Sequence, residues 1–336
     1  MEKKILIIII VSFVLRLMFL SPWLEDWDSV QFALGLHNFS IATHQPHPPG
    51  YPVYVFLGRI FNSFFQNDTL SLTLLSAFLG SLSAIPLFLM LKGMAGRNVA
   101  FICSILFLVV PLQFSLSEVA LSNIPGMFFT ISVAYLLYKG RVSKKYLLTG
   151  AFVGGITLGV RLAEWSVVLS LLILLLIYKK GKDFIKVAMA FLGGFLIWFI
   201  PLVILTGWRN LLTTYSNQGL YILNHDSTAS NIGFWARPQM IWGLFLNGYT
   251  LYFLPVIFFT GFYLFKTKKN LFQFDNLFAL VWLLSYLLPL IFVYNLEVPR
   301  HILPLLPSLV LTFGLSLNWA KKYRAALILI SSIFIL

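Results

Sequence analysis

Apolar residues run in long blocks along this chain, and polar residues gather in the gaps between them. Blocks near 5–21, 70–91, 98–117, 124–138, 146–162, 165–178, 187–206, 241–265, 277–294, 302–319 and 325–336 each read as a membrane-spanning helix. The pattern predicts an all-α polytopic membrane protein: about eleven transmembrane helices forming one membrane-embedded domain over residues 1–336. The stretch 51–65 is short for a bilayer core and carries Arg59 on one side. It reads as an amphipathic surface helix, so the first large outer loop, 22–69, is partly helical. A second large outer loop spans 207–240. The first block follows Lys3 and Lys4, and Ser21-Pro22-Trp23 offers no small-residue cleavage site, so a retained signal-anchor helix is expected.

Charge orients this array. With the N-terminus cytoplasmic, 18 of the 24 basic residues fall in inner loops, every lysine among them. The outer side keeps Arg59, Arg161, Arg209, Arg237 and Arg300, and Arg16 lies within the first span. Counting 51–65 as a span would reverse that distribution. With 51–65 at the outer surface, eight of the eleven acids, including Asp226, and all five histidines are outside. Orientation accounts for the net charge of +13 without nucleic acid. Outer arginine without lysine suits phosphate or carboxylate recognition through a planar fork. Mean hydropathy of +0.89 excludes a soluble domain with a single anchor. The lone Cys103 lies in an apolar block and forms no internal disulfide.

The candidate chemistry is crowded into EDWDSVQFALGLHNFSIATHQPHPPGYPVY, residues 25–54, just past the first span. The alternatives are a solvated loop whose acids oppose insertion and an active-site loop bringing carboxylates to the membrane surface. Arg161 and Glu164 sit in a tight turn between two short spans, where buried charges face a cavity, a ligand or each other; an i,i+3 ion pair is the structural alternative. Glu118 ends a span, and Glu297, Arg300 and His301 precede the tenth. Aromatic and amide residues of 207–240 suit a sugar or headgroup, or an interfacial belt.

The segment DSVQFALGL followed by HPPGYPVYVFLGRIF resembles the C-type glycosyltransferase superfamily (GT-C). Within it, the likeness is to the protein O-mannosyltransferase-like group, whose members carry Asp-Ser-Gly-Glu and then His-Pro-Pro-Gly-Tyr-Pro. Here Val30 and Gln31 replace the Gly and Glu of the first motif. The closing PRHILPLLP resembles the arginine-rich turn of dolichyl-phosphate-mannose-dependent relatives. The resemblance implies a GT-C-like bundle and inverting transfer of a sugar, a hexose such as mannose, from a polyprenyl or dolichyl phosphate. The acceptor would be a protein, glycan or lipid on the extracytoplasmic side, and no metal or other cofactor is indicated.

Such transfer needs a carboxylate to take the acceptor proton and cations to hold the departing phosphate. Asp28, before Ser29 as in the family motif, is the expected base, ahead of Asp26. If the segment is helical, the two side chains point about 200° apart and do not share one role. Arg161, Arg300 and His301 are the expected phosphate ligands. His44, His47, Arg59, Glu118, Glu164 and Glu297 complete the candidate substrate and loop residues. A transporter or lipid flippase would show paired repeats or interrupted helices, and the sequence shows neither. An O-antigen-type polymerase shares arginines on large outer loops but not the acidic loop followed by HPPGYP. A metal hydrolase built on His37, His44 and His47 lacks ligand spacing.

Overall fold

Helix starts and stops follow local chemistry along the chain. The computed structural model describes residues 3–225, 233–250, 253–267 and 271–320, and the named elements within them are all helical. Helix α1 (Lys3–Leu17) leads to α2 (Trp27–His37), whose N-cap is Asp26, its carboxylate accepting the Asp28 N–H at 2.9 Å. A 3-10 turn at Ile41–Thr43 and the HPPG segment deliver the chain to α3 (Pro52–Phe65), with proline at its first position. Asn67 caps α4 (Asp68–Leu82), which passes into α5 (Ala84–Ala95) as one apolar stretch of 28 residues.

The expected span 98–117 is instead two pieces, α6 (Arg97–Val109) and α7 (Pro111–Leu116). Pro111 lacks the N–H that would continue the first helix. Helices α8 (Asn123–Gly140), α9 (Lys144–Val160), α10 (Trp165–Tyr178) and α11 (Phe184–Thr206) fall close to their expected positions. Two expectations need larger correction. The loop 207–240 opens with a full helix, α12 (Trp208–His225). The span 241–265 is α13 (Arg237–Tyr249) and α14 (Leu254–Lys266), parted at Thr250, whose φ of 62° no α-helix accommodates, with Pro255 in the first turn of the second piece. Then come α15 (Phe274–Phe292), a 3-10 segment over Pro299–Leu305, and α16 (Leu306–Trp319). The eleventh span expected at 325–336, and Asp226, lie outside the described residues.

Among the described residues, four stretches are long and apolar enough to cross a membrane: Asp68–Ala95, Phe184–Thr206, Phe274–Phe292 and Pro299–Trp319. They make this an integral membrane protein. The last is 89% buried within the protein and the second only 22%, so α16 is the central post and α11 lies at the periphery. The main core gathers around α16 from α5, α6, α14 and α15, with α8 packed on α5 and α10 on α15. A second cluster, with Phe32, Tyr54, Leu72 and Leu75, seats α2 and α3 on α4. Peripheral α11 is held through backbone contact. A Cβ on Gly155 would lie 2.2 Å from the Phe191 carbonyl oxygen, and one on Gly194 would lie 1.9 Å from that of Phe152. Small residues thus let α9 and α11 approach as closely as their main chains permit.

Candidate functional site

Two carboxylates and one guanidinium form the centre of the site. Asp26 has extended backbone (φ −116°, ψ 151°) and Asp28 sits in the first turn of α2. The helical-wheel divergence expected of them therefore does not apply, because only one of the two lies within the helix. Their side chains converge on Arg300 of the 3-10 segment: Nη1 donates to Asp26 Oδ2 and Nη2 donates to Asp28 Oδ2 at 3.0 Å. A planar fork spanning two acceptors is what arginine offers and lysine does not. Arg300 was expected on phosphate and alternatively paired with Glu297. Its observed partners are the two acids, and Glu297 is exposed, its backbone N–H turned to Asn295 Oδ1.

The HPPG segment packs against this cluster. His47 Nδ1 lies 2.7 Å from Gln31 Oε1 and 3.6 Å from Asp28 Oδ1, and Nε2 lies 3.1 Å from the Tyr51 hydroxyl. Phe32 and Tyr51 wall the imidazole at ring-centroid distances of 5.8 and 5.0 Å. Burial pushes His47 below the ordinary histidine range, with Asp28 opposing the shift and His44, Arg161 and Arg300 adding to it. Burial likewise pushes the Tyr51 phenol up to about 12. Gly50, at φ 93° with Ile41 Cγ2 only 2.7 Å from where a Cβ would stand, turns the chain into α3. From α12, Tyr215 donates its hydroxyl to the Pro49 carbonyl at 2.8 Å.

Arg161 approaches from the C-terminus of α9. Its charge, with those of Asp28 and Arg300, acts on both His47 and Tyr51, so the groups share one electrostatic neighbourhood. Nη1 donates to Ser122 Oγ at 3.2 Å, while Nε has no hydrogen-bond partner. The expected Arg161–Glu164 pair is present but long, 3.9 Å from Nε to Oε1, and Glu164 Oε2 accepts from Thr130 at 3.1 Å. A buried guanidinium with an unused donor is suited to an anion. Close by, Tyr294 donates to the Ala163 carbonyl at 3.1 Å and stacks near Tyr286 and His301, whose Nδ1 meets the Asn295 carbonyl at 2.7 Å.

Other candidates have different work. Arg59 donates from Nε and Nη2 to the carbonyls of Leu36 and Gly35, closing the C-terminus of α2. His44 occupies an exposed left-handed turn position. Glu118 follows α7 and lies within electrostatic reach of Arg16 and Glu25, and burial raises its carboxyl to about 7. Tyr51, Ser122, Thr130 and Tyr294 are not singled out by sequence, and Gln31 is only as a departure from the family motif. Gln31 and Tyr51 had a signal, since both lie within or beside the matched motifs. No group of three or more metal-ligating side chains occurs among the described residues.

A family model for dolichyl-phosphate-mannose-protein mannosyltransferases matches residues 46–208, a little under half of the chain. Over 72 residues the chain is 33% identical to the protein O-mannosyl-transferase tmem260 of Dictyostelium discoideum, covering 20% of this chain and 8% of that protein. ArnT from Cupriavidus metallidurans, solved bound to undecaprenyl phosphate, superposes with a TM-score of 0.64 at 14% identity, over 97% of this chain and 62% of its own. The oligosaccharyltransferase of Archaeoglobus fulgidus, tethered to an acceptor peptide, superposes with a TM-score of 0.55 at 13% identity, over 96% of this chain and 50% of its own. The chain thus spans between half and two thirds of those structures, and the likeness to them is one of fold. That fold is the one shared by GT-C membrane glycosyltransferases, as the sequence resemblance implies.

Proposed function

We propose that this chain is an inverting glycosyltransferase that moves a sugar from a polyprenyl phosphate to an acceptor hydroxyl at the extracytoplasmic surface. The observation that carries the reading is the Asp26–Arg300–Asp28 cluster, assembled beside Arg161 in a GT-C fold. Undecaprenyl phosphate bound to ArnT and an acceptor peptide on the oligosaccharyltransferase agree with the two substrate classes.

In this mechanism Asp28 accepts the proton of the acceptor hydroxyl as its oxygen bonds to the anomeric carbon. The bond from that carbon to the phosphate oxygen breaks on the opposite face, and the phosphate monoester leaves with the electron pair. Arg161, with its unused Nε donor, receives the charge that builds on the phosphate. Arg300 fixes the direction of both carboxylates and tempers their mutual repulsion. Asp26 serves as helix cap and second carboxylate, supporting positive charge at the anomeric centre. Mannose is the sugar favoured by the matched family description.

The test is release of free polyprenyl phosphate from lipid carrying a labelled sugar, by purified protein in lipid vesicles. Asp28→Asn should lower release by about 10²–10⁴-fold while the protein still inserts, because the amide keeps the shape but cannot take the proton. Full activity in that variant would remove Asp28 from the mechanism, and no release by the wild type on any such donor would remove the transferase reading.

A further inference from the structure

The amide of Gln31 sits where three groups compete for protons, and its orientation can be deduced. The His47 backbone N–H, which can only donate, points at Gln31 at 3.1 Å, so the Gln31 atom facing it is the carbonyl oxygen. The same oxygen lies 2.7 Å from His47 Nδ1. An amide oxygen only accepts, so Nδ1 carries the ring proton. Nε2 then presents its lone pair to the Tyr51 hydroxyl at 3.1 Å, and the phenol is the donor.

We infer that Gln31 is a positioning residue: it holds the Nδ1 proton of His47 away from the carboxylate of Asp28 and, being uncharged, leaves the ring neutral beside that acid. This rests on the transferase reading for its consequence in catalysis, though not for its geometry. Asp28 Oδ1 is 3.6 Å from Nδ1, beyond hydrogen-bond reach as long as Gln31 holds the proton. The charged and titratable groups facing the ring are Asp28 on α2, Arg161 at the end of α9, Arg300 on the 3-10 segment, and His44 and Tyr51 on its own loop. Burial, His44 and two guanidinium groups oppose protonation, and one acid favours it. A second acid at position 31 would shift that balance, whereas a neutral amide of the same shape does not. Protonation would add its proton at Nε2, and the positive charge of the ring beside Asp28 would weaken that carboxylate's hold on the acceptor proton.

Gln31→Glu tests this, because glutamate still accepts from the His47 backbone N–H and from Nδ1 while adding charge. Hydrogen–deuterium exchange at the His47 ring C2, followed by mass spectrometry against pH, reports its protonation without any donor or turnover. In the wild type the midpoint should lie below the ordinary histidine value of about 6.5, and in Gln31→Glu it should rise by at least about one unit. Sugar transfer by the variant should fall about tenfold at pH 6.5 and recover at pH 8.5. In Gln31→Glu/His47→Gln the recovery with pH should vanish. Superimposed exchange midpoints in wild type and Gln31→Glu would overturn the proposal. A raised midpoint in a protein that shows no transfer on any donor would leave the Gln31 lock standing and remove only the catalytic reading.

Discussion

Lysine in place of Arg300 keeps a positive charge but can reach only one of the two acids its fork now spans, at Asp26 Oδ2 and Asp28 Oδ2. Arg300→Lys should therefore lower kcat, on the order of 10²-fold, with little change in KM for the donor, because a displaced base costs rate more than binding. Arg161→Lys should show the reverse, chiefly a raised donor KM. Steady-state kinetics on both variants decide it, and exchanged patterns would swap the two arginines. Glu118 offers a separate test by pH. Burial raises its folded carboxyl from the free value of 4.5 to about 7, so the folded state binds the extra proton and stability falls as pH rises through that window. Glu118→Gln should flatten the fall in thermal stability between pH 5 and 8, and an unchanged slope would place its source elsewhere. The sequence made these acids and arginines legible as candidates, because charge is rare in so apolar a chain. Their partners were not legible. Asp26 reads as helical by proximity to Asp28, yet it is the cap, and Arg300 looks paired with nearby Glu297 until the fold brings it to a residue 274 positions away.

At the scale of elements, close helix approach depends on what the backbones will admit. Leucine at Gly194 would have to drive its Cβ through the Phe152 carbonyl, so Gly194→Leu should part α11 from α9. A fall in melting temperature in detergent and new protease cleavage near residues 207–225 are the expected outcome; wild-type behaviour in both would mean the helices are not in contact there. The α9 glycines at 154, 155 and 159 meet Phe191, Gly194 and Trp198 of α11, a pairing visible only after folding. Helix positions over 124–206 were readable because hydropathy and length agree there. The breaks at Pro111 and Thr250 were not, because a proline in or after an apolar run does not by itself end a span: Pro201 lies within unbroken α11, whereas Pro111 starts a new helix and Pro255 follows the turn at Thr250. Helix α12 was hidden by a composition of Tyr, Asn and Thr that reads as loop.

For the whole molecule, sidedness is the first thing to measure. The stretch Asp68–Ala95 is long enough to cross the bilayer. Cysteines placed at Asn67 and Lys92, with buried Cys103 replaced by serine, should label from opposite faces with a membrane-impermeant reagent. Asn67 should label from outside. Its labelling only from the cytoplasmic face would make 51–65 a span and reverse the placement of every later charge, and labelling of both from one face would mean that Asp68–Ala95 does not cross. The ion pair of Asp28 with Arg300 also has a consequence in time. Its halves are 272 residues apart, and a ribosome adding about 5–20 residues per second separates their emergence by tens of seconds. Throughout that interval the acids near the amino end have no arginine to face, and the nascent protein can fold, cap α2 and seat α3 without having a centre. Competence therefore arrives late in synthesis, with the docking of the segment that carries Arg300, and a chain terminated before that segment would enter the membrane inert.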